Sequence, residues 1–168
     1  EPFWREVASA AGGRAAEFSD RQVANLVWAF ATAAAADCSH LCGRVAEAWR
    51  GRLGSLAPID LSLLVWAFAK VPHDDALFYS EAASAVAAQE CLWARSDSRS
   101  IATLIYAFAL SGRAADQRPA MQVLGQAVRA QAPSFSLEGL TNAVWGFATA
   151  SLSEPRWFSA VASEALRR

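Results

Sequence analysis

Four short stretches of the chain are apolar on nearly every side of a helix, and all four use the same order of residues. QVANLVWAFATA occupies 22–33, LSLLVWAFAKVP 61–72, IATLIYAFALSG 101–112 and LTNAVWGFATAS 140–151. Their large aromatics, Trp28, Trp66, Tyr106 and Trp145, follow one another at intervals of 38, 40 and 39 residues. A fixed period in this range is the mark of a helical repeat array. EPFW at Glu1 and EPRW at Glu154 stand 153 residues apart, or four such steps, so the first and last helices are expected to be equivalent elements.

Counted from the aromatic, the residue five before is Val23, Leu61, Ile101 or Leu140, and the residue two after is always phenylalanine (Phe30, Phe68, Phe108, Phe147). Alanine or glycine flanks the phenylalanine, which lets neighbouring helices come close. Such a helix belongs in the middle of a stack, buried on nearly all sides. Ser19-Asp20-Arg21-Gln22 reads as a capping box, Pro58 suits the first turn of the second copy, Asp97 or Ser98 can cap the third and Ser136 the fourth. Pro72 and Gly112 are the expected stops.

Between these copies the pattern changes to ordinary amphipathic helix, roughly over 39–54, 75–94, 115–131 and 154–167, with one more over 2–17. In 41–53, Leu41, Val45, Ala48, Trp49 and Leu53 share one face while Arg44, Glu47, Arg50 and Arg52 lie elsewhere. Each unit is therefore a hairpin of one buried and one half-exposed helix, unable to cover its apolar faces alone. The expected fold is all-α: an α-solenoid of about four helix hairpins and about nine helices, with repeats near 18–56, 57–95, 96–133 and 134–168 after a lone second helix at 1–17.

Composition narrows this little further. With 54% hydrophobic and 18% charged residues in 168, the chain is a packed protein, and Lys+Arg 15 against Asp+Glu 16 gives no gross electrostatic pull toward nucleic acid or membrane. Lys70 is the one lysine. No stretch approaches ~18 uninterrupted apolar residues, so no membrane span is expected. Cys38, Cys42 and Cys91 make an odd set with no secretory segment, which points to free thiols in a reducing compartment. The chain opens on Glu1 and closes on Leu166-Arg167-Arg168 inside a helical pattern, and so reads as a piece of something longer, any targeting peptide lying outside it.

A first helix of the form P-Q-D-L-A-N-L-L-W-A-L-A in a hairpin of this length resembles the octotricopeptide repeat family. The likeness rests on Gln22 to Ala31 in the first copy, on Pro58, Asp60, Leu61, Leu64, Val65, Trp66, Ala67, Phe68 and Ala69 in the second, and on Leu140, Asn142, Val144 and Trp145 in the fourth. Leu63, Thr103 and Tyr106 depart from it. The chain is also similar to the helical-repeat domains of the kinetoplastid RNA-editing substrate-binding complex and to the helical part of FAST-kinase-like mitochondrial proteins. The resemblance implies binding of single-stranded RNA, about one nucleotide per repeat, in chloroplasts or mitochondria. It also implies work in processing, editing, stability or translation of transcripts, with protein partners in such a complex.

Recognition would fall to polar side chains that change from copy to copy on the inner helices. Seven before the aromatic stand Arg21, Ile59, Arg99 and Glu138; six before, Gln22, Asp60, Ser100 and Gly139; three before, Asn25, Leu63, Thr103 and Asn142. Steps of three and four return to one side of a helix, so the columns at seven and three before share a face with the aromatic. Structural roles compete: Ser100 and Asp60 as capping residues, Asn25 and Asn142 as bonds to a neighbouring backbone. Candidate phosphate contacts are Arg21, Arg99, Arg95 and Lys70. The Trp/Tyr column offers a base-stacking platform or a core. Its Val, Ala and Phe neighbours favour core, from which Trp66→Ala is expected to cost about 3–5 kcal/mol.

Cys38-Ser39-His40-Leu41-Cys42 has metal-like spacing but no convincing fourth ligand, and Leu41 and Cys42 fall in the apolar register, so no metal site is expected. No phosphate loop, nucleophile elbow or acid pair stands out, and Asp74-Asp75 reads as helix-start charge. Neither enzymatic activity, a cofactor nor a small-molecule substrate is expected. Two classes of function remain from sequence: an RNA-binding solenoid, or a protein–protein scaffold, which surface-facing Trp49, Trp93 and Trp157 would favour. A spacer between domains of a longer chain is a third.

Overall fold

The computed structural model describes residues 2–35, 38–71 and 73–168, with Ala114 and Ala115 defined by backbone alone. Among the described residues every regular element is helical, and there are no strands. In chain order the helices are α1 (Pro2–Gly13), α2 (Asp20–Thr32), α3 (Cys38–Trp49), α4 (Pro58–Lys70), α5 (Ala76–Ala87), the single turn α6 (Glu90–Trp93), α7 (Ser98–Leu110), α8 (Ala114–Gln131), α9 (Leu137–Thr149) and α10 (Pro155–Arg167). The four repeated stretches form α2, α4, α7 and α9, each packed on the next; α1, α3, α5, α8 and α10 make a second layer behind them.

Helix starts follow local chemistry. Ser19 and Gln22 close a reciprocal capping box on α2, Pro58 occupies the first turn of α4, and the side chains of Asp97 and Ser136 accept the N–H of Ser100 and Gly139. Asp75 does the same for Phe78 at the start of α5. Gly112 follows α7 at φ +70, a left-handed geometry that glycine takes without a Cβ penalty. The expected stop at Pro72 lies outside the described residues.

The expected outer helices over 2–17, 39–54 and 75–94 are shorter than the pattern implied. Each breaks into a main helix and a tight turn: Ala15–Glu17, Leu53–Ser55 and Glu90–Trp93; a like turn, Ala132–Ser134, follows α8. These turns carry Ala15, Leu53, Trp93 and Ala132 into the core, so the apolar register runs on through a change of backbone.

The two layers meet through the phenylalanine column. Phe30, Phe68, Phe108 and Phe147 are at most 1% exposed. Phe30 meets Trp4 edge-on at 4.8 Å, Phe68 stacks on Phe78 at 3.8 Å, and Phe147 lies 4.8 Å from Trp157. Trp49, Trp93 and Trp157 are buried in the same core.

A second device ties repeat to repeat. At or just past the end of each outer helix from the second onward, a donor reaches a backbone carbonyl in or just after the preceding unit's turn: Trp49 Nε1 to Ala15, Gln89 Nε2 to Gly54, Gln131 Nε2 to Ala94, and the Arg168 guanidinium to Phe135. Carbonyls that a tight turn leaves unpaired are thereby satisfied from one repeat away.

Candidate nucleic-acid interface

On the side facing away from the outer layer, α2, α4, α7 and α9 present one solvent-facing stripe apiece. The stripe consists of the positions seven and three before the aromatic, the aromatic itself, and four after it: Arg21, Asn25, Trp28 and Thr32 on α2, Ile59, Leu63, Trp66 and Lys70 on α4, Arg99, Thr103, Tyr106 and Leu110 on α7, and Glu138, Asn142, Trp145 and Thr149 on α9. All sixteen are exposed or half-buried, whereas most other positions of these helices are covered.

The assignment of the Trp/Tyr column to the core is therefore corrected. Trp28 and Trp145 are each 41% exposed, and Trp66 and Tyr106 are half-buried, with Trp66 still packed against the core. The physical reason is the helical step. Phenylalanine two residues on points about 200° away and takes the core side, which leaves the larger ring on the outer face. On α2, α7 and α9 the polar residues three and seven before the aromatic are the signal for this, since they share its side of the helix; α4, with Ile59 and Leu63 there, gives no such signal. The rings form neighbouring contacts: Tyr106 and Trp145 lie with centroids 4.9 Å apart at a 34° tilt, and Lys70 Nζ sits 5.7 Å from the Trp66 ring.

The column six before the aromatic is different in kind. Gln22, Asp60, Ser100 and Gly139 occupy the third position of their helices, where the backbone N–H of Gln22, Ser100 and Gly139 goes to a capping side chain. Gln22 is held by the capping box, and Ser100 is buried with its hydroxyl donating to Asp97 at 2.7 Å. Asp60 is buried and pairs with Arg21 of the preceding repeat at 2.9 Å, without hydrogen-bond alignment. Burial raises the Asp60 pKa, and the Arg21 charge opposes that. Gln22, Asp60 and Ser100 thus serve local structure, and Asp60 neutralises Arg21 instead of facing a ligand.

Among the described residues, Asn25, Arg99, Thr103, Glu138 and Asn142 make no side-chain hydrogen bond and no ion pair. The alternative bond from Asn25 or Asn142 to a neighbouring backbone is not formed. Arg99, Thr103, Glu138 and Asn142 instead surround one hollow between the N-terminal halves of α7 and α9, about 530 Å³ in volume, with Ser98, Ser134 and Ser136 on its rim. Arg95 is exposed in the turn before α7.

Elsewhere the described residues contain no group of three or more His, Cys, Asp and Glu side chains able to hold a metal ion, and no helix long and apolar enough to cross a membrane. Cys38 and Cys42 are buried against each other; their mutual hydrogen bond, followed by burial, pushes the Cys42 thiol far above its ordinary value. His40 is exposed.

The fold and this surface define a class: a two-layered array of helix hairpins carrying a regular, variable, solvent-facing stripe. No family model matches the chain, and no curated protein matches it in sequence.

Proposed function

We propose that the chain binds single-stranded RNA along the stripe of α2, α4, α7 and α9, acting by recognition and not by catalysis. The observation that carries this reading is the hollow between α7 and α9, where four side chains with unspent hydrogen-bonding capacity gather on the two helices that also carry the half-buried Tyr106 ring and the exposed Trp145 ring. Single-stranded RNA offers flat bases to rings and donor and acceptor edges to side chains. Variation of the polar columns from copy to copy, on a scaffold that otherwise repeats, is what a reader of a linear polymer requires. The resemblance to octotricopeptide repeats points the same way, and on it rests the placement in chloroplast or mitochondrial RNA processing, editing, stability or translation.

A protein partner is the second reading, favoured by the exposed Ile59 and Leu110 on the stripe and by the near-neutral charge. The feature that would have carried it furthest is missing, because Trp49, Trp93 and Trp157 are core residues. Fluorescence anisotropy of the chain with randomised single-stranded RNA and DNA pools, at two salt concentrations, separates the readings. The RNA reading expects RNA-preferring binding that weakens with salt and weakens further in Arg99→Ala. Lys70 and Arg99 are the stripe's cations without an ion pair among the described residues, so the slope of log K on log salt should be no steeper than about −1.4. A folded chain that binds neither pool contradicts it.

A further inference from the structure

We propose that Trp28, Trp66, Tyr106 and Trp145 form a base-stacking column, and that the paired residues beside each ring grade it from discriminating to indifferent, with α4 the indifferent site. The inference rests on the RNA reading above and adds to it which side chains stack, which read, and where the protein ignores sequence.

Each ring has two companions on its own helix, one and two turns toward the N-terminus: Arg21 and Asn25 beside Trp28, Ile59 and Leu63 beside Trp66, Arg99 and Thr103 beside Tyr106, Glu138 and Asn142 beside Trp145. Three of the pairs can donate or accept hydrogen bonds at a base edge. The pair on α4 cannot, since both of its members are aliphatic. A base over Trp66 would find a ring below it, the Lys70 ammonium near that ring, and hydrocarbon at its edge. Stacking is tolerant of base identity because every base has a π face, whereas edge contacts discriminate. The array should therefore bind a base at α4 without choosing it.

At the other extreme lies α9. Glu138 is an acceptor and Asn142 offers both donor and acceptor, so together they can match a base edge that carries donors beside an acceptor. Neither has another partner among the described residues, and both line the hollow between α7 and α9, on the helix that carries Trp145. The contact between Tyr106 and Trp145 leaves no slot between those rings, so bases lie across their outward faces and do not intercalate.

The test uses the whole chain and reads sequence, affinity and ring environment together. RNA retained from a randomised single-stranded pool is sequenced for the wild type, for the double substitution Ile59→Glu with Leu63→Asn, and for Trp145→Leu and Trp28→Leu. Circular dichroism checks the fold of each, and tryptophan emission is followed as RNA is added. The expected wild-type motif has one position of no preference flanked by positions with preference. The α4 substitution should convert that position to the preference found at the α9 site. The Trp→Leu changes should weaken binding by roughly 5- to 150-fold while leaving the fold intact, and RNA should quench wild-type emission. RNA binding that is unchanged by the Trp→Leu substitutions, or a motif that the α4 substitution does not alter, overturns the column while leaving RNA binding standing. Retention of no RNA by a folded chain overturns both.

Discussion

Gly146 of α9 lies so close to Ile105 of α7 that a methyl group on it would stand 2.5 Å from Ile105 Cγ2 and 3.1 Å from its carbonyl oxygen. The equivalent positions in the other copies are Ala29, Ala67 and Ala107, so the fourth copy has given up a Cβ where it meets the third. That close approach brings Trp145 beside Tyr106 on the outer face. In an ordinary helix interior Gly→Ala stabilises by about 1 kcal/mol. Here Gly146→Ala is expected to do the opposite, by about 1–3 kcal/mol from overpacking against a backbone that cannot give. Urea unfolding of the two proteins decides the sign.

The two aromatic columns of the inner helices should behave as different materials. Phe68 is fully buried against Phe78, and Phe68→Ala is expected to cost about 3–5 kcal/mol. Trp28→Ala removes a larger side chain that is 41% exposed, and should cost well under half as much. Equal losses in thermal melts would return the tryptophan column to the core.

The same contrast shows what was legible in the sequence. The period, the phenylalanine core, the capping residues and the two-layer hairpin all follow from spacing, because each depends on residues near one another in the chain. At the aromatic column the immediate neighbours mislead: Val27, Ala29 and Phe30 sit on other sides of the helix, while Asn25 and Arg21, which share its side, are polar. For Gln22, Asp60 and Ser100 the sequence offers both a structural and a recognition role, and the third place in a helix, which all three share, favours the structural one. The latches from Gln89, Gln131 and Arg168 are invisible in the sequence, since each depends on where a helix end meets a turn one repeat earlier. Nothing in the pattern of 2–17 or 39–54 announced the tight turns, because Ala15 and Leu53 keep the apolar register.

Glu164 is 4% exposed, and its carboxylate accepts hydrogen bonds from Arg167 and Arg168, which hold its pKa down to about 2. A depressed acid contributes stability that is present above its ordinary pKa of about 4.3 and lost as pH falls from there through about 2. Glu164→Gln should therefore unfold at lower denaturant near neutral pH and show a flatter acid limb between those values. Parallel curves for the two proteins would show that the cluster contributes nothing.

Asp60 has the opposite sign. Its pKa is raised, chiefly by burial, so the native state keeps the proton to higher pH than the unfolded chain, and stability declines as pH rises from the ordinary Asp value of about 3.9 to the raised one. Asp60→Asn should remove that decline. It also releases Arg21, so RNA should bind more tightly, on the order of a few-fold, and with a steeper salt dependence. Weaker RNA binding by a stable Asp60→Asn protein would mean that the carboxylate itself takes part in recognition.

The most direct test of the account is where RNA touches the protein. Photo-crosslinking of 4-thiouridine-substituted single-stranded RNA to the chain, with the attached peptides mapped by mass spectrometry, reports contact without altering a residue. The account predicts crosslinks on α2, α4, α7 and α9, concentrated at Trp28, Trp66, Tyr106 and Trp145. Crosslinks confined to α3, α5, α8 and α10, with the stripe untouched, would contradict it.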